Sequence, residues 1–342
     1  MAASQPLRVA VVGAGAFGRN HLRVYRELQQ AGRDIQLVAV VDRNPAVASE
    51  AAAKFDVPGF DSIEACLAAG CKLDAASICV PTVHHASTAA PLLAAGIDLL
   101  IEKPLAASLA DADSILELAS KHGRIVQAGH LERFNPAVTA ARQHLHRPMF
   151  FEAHRLSIFT PRSLDVDVVL DLMIHDLDIV LSLVASPVRE VRAVGLPVLS
   201  HKVDIANVRV EFENGCVANF TASRVSTERV RKLRFFQPHQ YLSLDFARQD
   251  LLMIDVTAAA GMDPAQLAAI AQRAQQHPSA GLSLTKVPVE QGEPLRLEIE
   301  SFLSAVRTRT TPLVSGEDGR AALALALEIN QAIAAHAKRT GL

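Results

Sequence analysis

Three short groups of residues in this chain have the types and spacing that ligand binding and catalysis require. Residues 13–18 have glycine at their first, third and sixth positions. Glu102 and Lys103 follow an apolar run, and Asp171 and His175 are four positions apart. A glycine-rich turn lets a phosphate approach the backbone, and amine, carboxylate and imidazole groups can move protons. These groups are consistent with an enzyme that binds a phosphorylated ligand.

The glycine-rich turn lies between a predicted buried strand at 7–12 and a predicted helix at 19–30. In this context the first glycine permits a tight turn, the second admits a pyrophosphate, and the third lets helix and strand pack closely. The helix start offers N–H groups and the positive end of its dipole to phosphates. A glycine turn that binds nothing is the alternative. We expect a dinucleotide here, bound by Gly13, Gly15, Ala16, Phe17 and Gly18.

Asp42 ends the second predicted strand, at 37–41, and is a candidate for binding the adenosine ribose. A carboxylate there accepts hydrogen bonds from ribose hydroxyls, which favours NAD over NADP. Arg43 keeps NADP open, because a guanidinium can bind a 2′-phosphate or stack on adenine. Alternatively, Asp42 only caps the helix that begins at Asn44 and Pro45.

Lys103 directly follows a predicted strand at 98–101 and Glu102. Ligands collect at the carboxyl ends of the strands in a doubly wound sheet. A lysine there can hydrogen-bond a substrate hydroxyl and help its proton leave. The alternative is an ordinary solvated surface charge.

Asp171 and His175 share one helical face if their segment is helical, since four residues make about one turn. A buried pair of this kind is costly unless it is hydrogen-bonded or used. Proton transfer is therefore one interpretation, and a hydrogen-bonded core pair is the other. Asp178 could orient His175 or ligate a metal, but no third ligand has suitable spacing and no cysteine lies in a paired Cys-x-x-Cys motif. We predict no metal site.

The elements around these residues change character near residue 128. Residues 1–127 alternate buried strands with helices, which predicts an α/β domain with a doubly wound parallel sheet of the Rossmann type. Residues 128–342 are richer in strands, with a hairpin signal at Asn214 and Gly215, which predicts an α+β domain on an antiparallel sheet. Residues 258–288 look inserted. The predicted border between the two domains is therefore 127/128.

Composition narrows the class of protein. A chain of 342 residues suits two domains, and a formal net charge of −2 argues against a nucleic-acid-binding protein that works by bulk charge. No apolar run is long enough to span a membrane, and the first residues lack the charged start of a signal peptide. We expect a cytoplasmic protein.

The motifs taken together resemble the Gfo/Idh/MocA oxidoreductases, which include glucose-fructose oxidoreductase and inositol dehydrogenase. The resemblance extends over essentially the whole chain. It implies a Rossmann domain, an α+β domain with an open, mostly antiparallel sheet, and a homodimer or homotetramer formed through that sheet. It rests on the glycine-rich turn, on residues 81–85, on Glu102–Lys103–Pro104 and on residues 171–175.

The same resemblance implies roles for individual residues. Lys103 matches the active-site lysine, His175 the general acid/base, and Asp171 the carboxylate one turn before it. In such a site a secondary alcohol transfers hydride to the nicotinamide, His175 takes the proton, and Lys103 polarises the oxygen. His85 matches a histidine beside the nicotinamide. The other residues assigned to the cofactor in this region are Pro81, Thr82 and Glu102.

Three arginines near the predicted catalytic helix suggest an anionic substrate, because arginine binds phosphate or carboxylate bidentately. The surrounding sequence is similar to the branch of the family that oxidises nucleotide sugars. That similarity implies oxidation at C3 of UDP-N-acetylglucosamine, with a PLP aminotransferase acting on the product on the way to lipid A or surface polysaccharide. The arginines could instead form ion pairs. The candidate substrate residues are Lys103, Arg133, Asn135, Arg155, Arg162, Asp171 and His175.

Two other functions remain open. The first is an enzyme of the same fold that oxidises a plain sugar, a polyol or an imine. The second is a non-catalytic NAD-binding sensor, in which Lys103 and His175 have structural roles.

Overall fold

The computed structural model describes residues 5–159, 166–256, 262–266, 268, 269, 272 and 283–341. The chain divides into two compact units. Unit 1 contains Met1–Leu131 and Glu293–Ala324, and unit 2 contains Glu132–Gly292 and Leu325–Leu342.

Unit 1 is built on a 6-stranded sheet in the order β3-β2-β1-β4-β5-β6. Every neighbouring pair in it is parallel. The order reverses between β1 and β4, which is the doubly wound arrangement, so the predicted Rossmann sheet is confirmed. The strands are β1 (Leu7–Val12), β2 (Ile35–Val41), β3 (Gly59–Phe60), β4 (Ala75–Ile78), β5 (Asp98–Glu102) and β6 (Val126–Gly129).

The helices of unit 1 begin where their sequences carry capping residues. Asn44 Oδ1 accepts a hydrogen bond from Ala46 N at 3.1 Å, and Ser108 Oγ accepts one from Asp111 N at 3.1 Å. Side-chain caps of this kind satisfy N–H groups that the first helical turn leaves over. The helices are α1 (Ala16–Gln30), α2 (Pro45–Phe55), α3 (Ile63–Ala68), α4 (His85–Ala94) and α5 (Leu109–His122).

The division of the chain differs from the predicted 1–127 and 128–342. The first border lies four residues later, and residues 293–324 return to unit 1. The cause is the apolar stripe of α8 (Pro294–Thr308), which joins the hydrophobic core formed by β1, β2 and α1. Burying such a stripe is favourable wherever a complementary apolar face exists, and sequence distance does not affect this. The stripe consists of Leu295, Ile299, Phe302, Leu303 and Val306.

Unit 2 is built on an 8-stranded sheet in the order β14-β13-β12-β11-β7-β10-β9-β8. Only the β7–β10 pair among these described strands is parallel. The predicted α+β domain on a mostly antiparallel sheet is therefore confirmed. Its strands are β7 (Phe150–Ile158), β8 (Val188–Leu196), β9 (Ile205–Phe212), β10 (Val217–Ser226), β11 (Val230–Gln237), β12 (Gln240–Asp245), β13 (Asp250–Asp255) and β14 (Ser283–Val287).

The hairpin predicted at Asn214 and Gly215 joins β9 to β10, with Gly215 at a φ of +83°. Part of the segment that looked inserted extends the sheet as β14, which pairs with β13. Within the same segment, residues 264–266, 268, 269 and 272 are helical, and residues 258–261, 267, 270, 271 and 273–282 lie outside the described residues. The remaining helices are α6 (Pro136–Arg142), α7 (Ile174–Val184) and α9 (Gly316–Thr340). In the part of the chain that the structure describes, no helix combines the length and apolar character needed to cross a membrane.

Candidate active site

The glycine-rich turn joins β1 to α1, and each glycine meets a different constraint. Gly13 has a φ of +95°, and a Cβ on it would lie 2.6 Å from the carbonyl carbon of Cys79. A Cβ on Gly18 would lie 1.8 Å from the carbonyl oxygen of Gly13. A Cβ on Gly15 would meet nothing within 4 Å. The first and third glycines are therefore required by packing, while Gly15 leaves open the space that a pyrophosphate needs.

Asp42 connects this turn to the end of β2. Its Oδ2 accepts a hydrogen bond from Ala14 N at 2.8 Å, and its Oδ1 accepts one from Asn44 N at 2.9 Å. The helix cap itself is Asn44. Each oxygen of the Asp42 carboxylate can accept a further hydrogen bond, so the group can still bind ribose hydroxyls.

A cleft of about 720 Å³ opens at this edge of the unit 1 sheet. Its lining includes Gly13, Gly15, Asp42, Arg43 and Pro81, all predicted cofactor residues. Thr82 follows in the short 3-10 helix Thr82–His84. Ala16 and Phe17 form the first turn of α1, and Phe17 is exposed. The site therefore has the glycine cradle, the carboxylate and the volume that an NAD molecule requires. Sequence analysis missed Asn44, Ser62, His84 and Ser87 in the lining.

His84 faces the candidate specificity residue Arg43. Arg43 Nη1 lies 3.2 Å from His84 Nε2. An arginine can only donate, so in a hydrogen bond between the two groups His84 Nε2 is the acceptor. Nothing in the sequence marked His84 as a partner, because the two residues are 41 positions apart.

A buried chain of hydrogen bonds holds Glu102, the residue before Lys103. His21 Nε2 lies 2.9 Å from Glu102 Oε1, His21 Nδ1 lies 3.1 Å from Ser77 Oγ, and Tyr25 Oη lies 2.8 Å from Ser77 Oγ. Burial raises the pKa of Tyr25, so its phenol keeps its proton. When that phenol donates to Ser77, Ser77 donates to Nδ1, and Nε2–H donates to the Glu102 carboxylate. Each hydrogen bond in the chain then has one defined donor, from Tyr25 on α1 to Glu102 at the end of β5.

Sequence analysis assigned Glu102 to the cofactor and missed its partner His21. It also missed Ser77 and Tyr25, which continue the chain. The available signal was His21, a polar residue on the buried face of α1 beside Leu22, Tyr25 and Leu28. A polar group on such a face needs a partner, because an unsatisfied one is expensive. The partner itself could not be read from the sequence.

His85 has a structural position in addition to its predicted place beside the nicotinamide. It is 1% exposed. Its Nε2 lies 3.0 Å from the carbonyl oxygen of Val80, and its Nδ1 lies 3.1 Å from that of Pro104. Burial lowers the pKa of His85, and the surrounding carbonyls act against that shift. The imidazole thus ties the residues after β4 to those after Lys103.

In unit 2, Asp171 and His175 occupy different kinds of helical turn. Asp171 lies in a π-helical turn, Val169–Met173, and His175 lies in the first turn of α7. Both side chains are half-buried, whereas Ile174 and Leu177 are buried. The segment is helical, as expected, but Asp171 lies in a π turn and only His175 lies in the regular α-helix. The expectation from sequence was that a buried Asp–His pair is costly unless it is used. Since both side chains are only half-buried, this cost is smaller, and both groups can reach a ligand.

Two arginines predicted to bind substrate are held by buried carboxylates instead. Arg133 Nε and Nη2 donate to Asp178 at 2.8 and 2.7 Å. Arg155 Nε and Nη2 donate to Asp176 at 2.9 and 2.8 Å. Both pairs anchor α7, and Asp178 therefore binds Arg133 rather than orienting His175. Both arginines form ion pairs, which was the alternative to substrate binding. Their geometry favours these ion pairs over direct contact with a substrate.

Two further candidates complete the predicted set. Asn135 caps α6 by accepting from Ala137 N at 3.1 Å, and it donates to the carbonyl oxygen of Phe246 at 3.1 Å. Its buried position makes it a structural residue in unit 2. Arg162 lies outside the described residues. Among the described residues, no group of three or more His, Cys, Asp or Glu side chains is placed to hold a metal ion.

Removing the imidazole of His21 should destabilise unit 1. His21→Leu leaves the Glu102 carboxylate buried without its donor, which should lower the free energy of unfolding by about 3–5 kcal/mol. His21→Gln keeps an N–H near the Nε2 position and should lose roughly half of that. Tyr25→Phe removes only the outer hydroxyl and should cost about 1 kcal/mol. Urea denaturation measures all three. Equal losses in His21→Leu and Tyr25→Phe would contradict the assigned chain.

The lowered pKa of His85 predicts a pH-dependent stability. Above its ordinary pKa of 6.5 the imidazole is neutral in both the folded and unfolded states. As the pH falls below that value, the unfolded chain takes up the proton first, so stability decreases toward the lowered folded pKa. The melting temperature should therefore fall between about pH 7.5 and about pH 5.5, and His85→Gln should flatten this dependence. An unchanged slope in the variant would refute the assignment, and His239→Gln, an exposed site in unit 2, controls for the substitution.

Two protein-family descriptions match this chain. Residues 7–130 match the oxidoreductase family with an NAD-binding Rossmann fold, and residues 125–237 match the GFO/IDH/MocA C-terminal domain. These matches fall on the sheet of unit 1 and on the first part of unit 2.

Individual relatives extend over more of the chain. A UDP-N-acetylglucosamine 3-dehydrogenase of Acidithiobacillus ferrooxidans is 35% identical over 334 residues, 97% of this chain and 99% of the relative. Its solved structure aligns with a TM-score of 0.85 at 34% identity, over 97% of this chain and 99% of that one. An inositol 2-dehydrogenase of Acidothermus cellulolyticus is 30% identical over 205 residues, 57% of this chain and 58% of the relative. The chain therefore belongs to the Gfo/Idh/MocA family of NAD-binding oxidoreductases, which confirms the family that its motifs predicted.

Proposed function

We propose that this protein is an NAD-dependent dehydrogenase that oxidises the C3 hydroxyl of UDP-N-acetylglucosamine to a ketone. The observation that carries the proposal is the 35% identity to an enzyme of that name over 97% of this chain. The match includes both units, so it extends to the residues of α7 as well as to the cofactor turn.

The cofactor half of the reaction depends on unit 1. NAD supplies the acceptor for the hydride that leaves the carbinol carbon. The glycine-rich turn would hold its pyrophosphate at the start of α1, and Asp42 would accept hydrogen bonds from its ribose. A carboxylate at this position disfavours a 2′-phosphate through like charge, which supports NAD over NADP.

The proton half of the reaction is assigned to Lys103, His175 and Asp171. Bound NAD would accept the hydride from C3, and His175 would take the proton that the C3 hydroxyl loses. Lys103 donates a hydrogen bond to the same oxygen and stabilises its developing negative charge. Asp171, four residues before His175, is assigned as the carboxylate that assists it. The products are a 3-keto sugar nucleotide, NADH and a proton.

The chemistry of the product suits a transamination as the next reaction. A ketone beside the acetamido carbon is a substrate for a PLP aminotransferase, which would convert it to a 3-amino sugar for lipid A or surface polysaccharide. We further propose a cytoplasmic homodimer or homotetramer that uses the open sheet of unit 2. Neighbouring genes for an aminotransferase or an acyltransferase would support this pathway.

The first experiment offers NAD with a panel of UDP-sugars, plain sugars and polyols, and follows NADH by absorbance. A coupled aminotransferase removes any 3-keto product. Lys103→Met should lower turnover of UDP-N-acetylglucosamine by about 10²- to 10⁴-fold while NAD affinity changes little, because the lysine acts on the oxygen. Lys121→Met, an exposed lysine on α5, is the matched control.

Two outcomes would replace this proposal. Oxidation of plain sugars or polyols, with silence for every UDP-sugar, would support the polyol alternative. If Lys103→Met behaves like the wild-type protein and still binds NAD, the result would support the non-catalytic NAD-binding sensor.

The assignment of Asp42 predicts a change in cofactor choice. Asp42→Asn keeps one acceptor oxygen for either Ala14 N or Asn44 N, replaces the other oxygen with a donor NH2 group, and removes the negative charge. NAD should bind about 10- to 100-fold more weakly, because charge-assisted hydrogen bonds to the ribose are lost, and the preference against NADP should shrink. Fluorescence titration with NADH and NADPH measures both. Asp56→Asn, at the end of α2, is the control, and equal affinities for wild type and Asp42→Asn would rule out the ribose role.

A further inference from the structure

Two arginines face each other across neighbouring strands of unit 2. Arg231 on β11 is the direct antiparallel partner of Arg155 on β7. Side chains that lie directly opposite interact strongly, and like charges in this arrangement are destabilising. Such a pair persists only where something else compensates the charge. The compensation differs for the two arginines.

Arg155 is buried and fully matched by carboxylates. Its bidentate contact occupies both oxygens of Asp176, and its Nη1 donates to Glu132 Oε1 at 2.9 Å. The second Glu132 oxygen lies 3.3 Å from the amide nitrogen of Asn135. Each oxygen of the two carboxylates is therefore already engaged before Arg231 is considered.

Arg231 interacts much more weakly with these carboxylates. Its Nη1 lies 3.9 Å from Glu132 Oε1, beyond hydrogen-bond distance, and its side chain is 46% exposed. Desolvation together with the charge of Arg155 lowers the pKa of Arg231, as expected for a cation whose surroundings are unfavourable. Arg229 adds a further repulsive charge at Arg231, so three guanidinium groups near this position stand against two carboxylates, Glu132 and Asp176.

The position of Arg231 on the sheet explains its exposure. It shares one side of β11 with Leu233, Phe235 and Gln237, which are buried. The same side of the sheet carries Arg155 on the neighbouring strand. Arg231 therefore stands where the inner face of the sheet opens to solvent, beside the ion pair that anchors Asp176 and hence the helix of His175.

We propose that Arg231 binds the diphosphate of the nucleotide-sugar substrate and makes the enzyme selective for nucleotide sugars over plain sugars. The inference rests on the proposed function. A guanidinium offers a planar pair of donors that fits a phosphate, and an anionic ligand would offset the positive charge that Arg229 and Arg231 place beside the matched Arg155. In UDP-N-acetylglucosamine the β-phosphate is attached to C1, so a reacting C3 requires the phosphate site to lie close to the catalytic helix. Arg231 meets that requirement, while Arg133 and Arg155 are committed to anchoring α7.

Binding of UDP, UMP and uridine to wild type and Arg231→Met tests this role, by calorimetry with NADH present. UDP should bind about 10- to 100-fold more weakly to the variant, while uridine should bind equally to both proteins. Arg231→Lys should be intermediate, since it keeps the charge and loses the bidentate geometry. In turnover, KM for UDP-N-acetylglucosamine should rise with little change in kcat. Arg209→Met, an exposed arginine on the other side of the sheet, should behave as wild type.

Stability separates this role from a structural one. Because Arg231 faces Arg155, Arg231→Met relieves repulsion and should leave the melting temperature unchanged or higher. A clear fall in melting temperature would make Arg231 part of the structural network and overturn the inference, as would unchanged UDP affinity and KM.

The same measurements distinguish this inference from the proposed function. If wild type binds UDP through Arg231 but oxidises no UDP-sugar, the proposed reaction fails and the diphosphate site stands. If wild type oxidises UDP-N-acetylglucosamine and Arg231→Met does so with the same KM, only the inference fails. If wild type binds no UDP, both fail.

Discussion

Burial of charge governs the arrangement of the candidate functional residues within each unit. In unit 1 the carboxylate of Glu102 is buried next to Lys103, and its contact with His21 compensates for that burial. An unpaired buried carboxylate would either take up a proton or force the strand end to move. The contact joins α1, which follows the glycine-rich turn, to the last residue of β5, which Lys103 follows. The glycine-rich turn and the residue before Lys103 are therefore connected through one hydrogen-bonded network.

Unit 2 uses the same principle with arginine in place of histidine. Arg133 and Arg155 enter the protein interior only because Asp178 and Asp176 meet them with bidentate geometry. Buried pairs of this kind contribute little net stability compared with apolar packing, but losing one partner is expensive. Their effect is to define the position of α7 closely. His175 lies immediately before one of these aspartates, so its backbone position depends on them.

The sequence predicted what depends on local pattern and missed what depends on long-range pairing. Residue periodicity and capping residues account for the elements that were predicted. These are the buried strands, the glycine-rich turn, the hairpin at Asn214 and the N-terminal cap of α5. The partners of Glu102 could not be inferred, because His21 is 81 positions away and its role depends on the order of strands in the sheet. The π turn at Val169–Met173 also escaped prediction, since α and π turns use the same residue types. Arg133 and Arg155 were recognised as important for the right reason, their ability to bind anions bidentately, but the anions are the protein's own.

The return of α8 to unit 1 has a consequence for how the chain is made. The hydrophobic core of unit 1 includes Ile299 and Phe302, which leave the ribosome after the whole sheet of unit 2. The core of unit 1 is therefore incomplete until most of the polypeptide has been synthesised. Unit 2 in turn takes its last residues, Leu325–Leu342, from the end of the chain. Neither core can close during synthesis of the first 292 residues, so the two units complete their folding at nearly the same time.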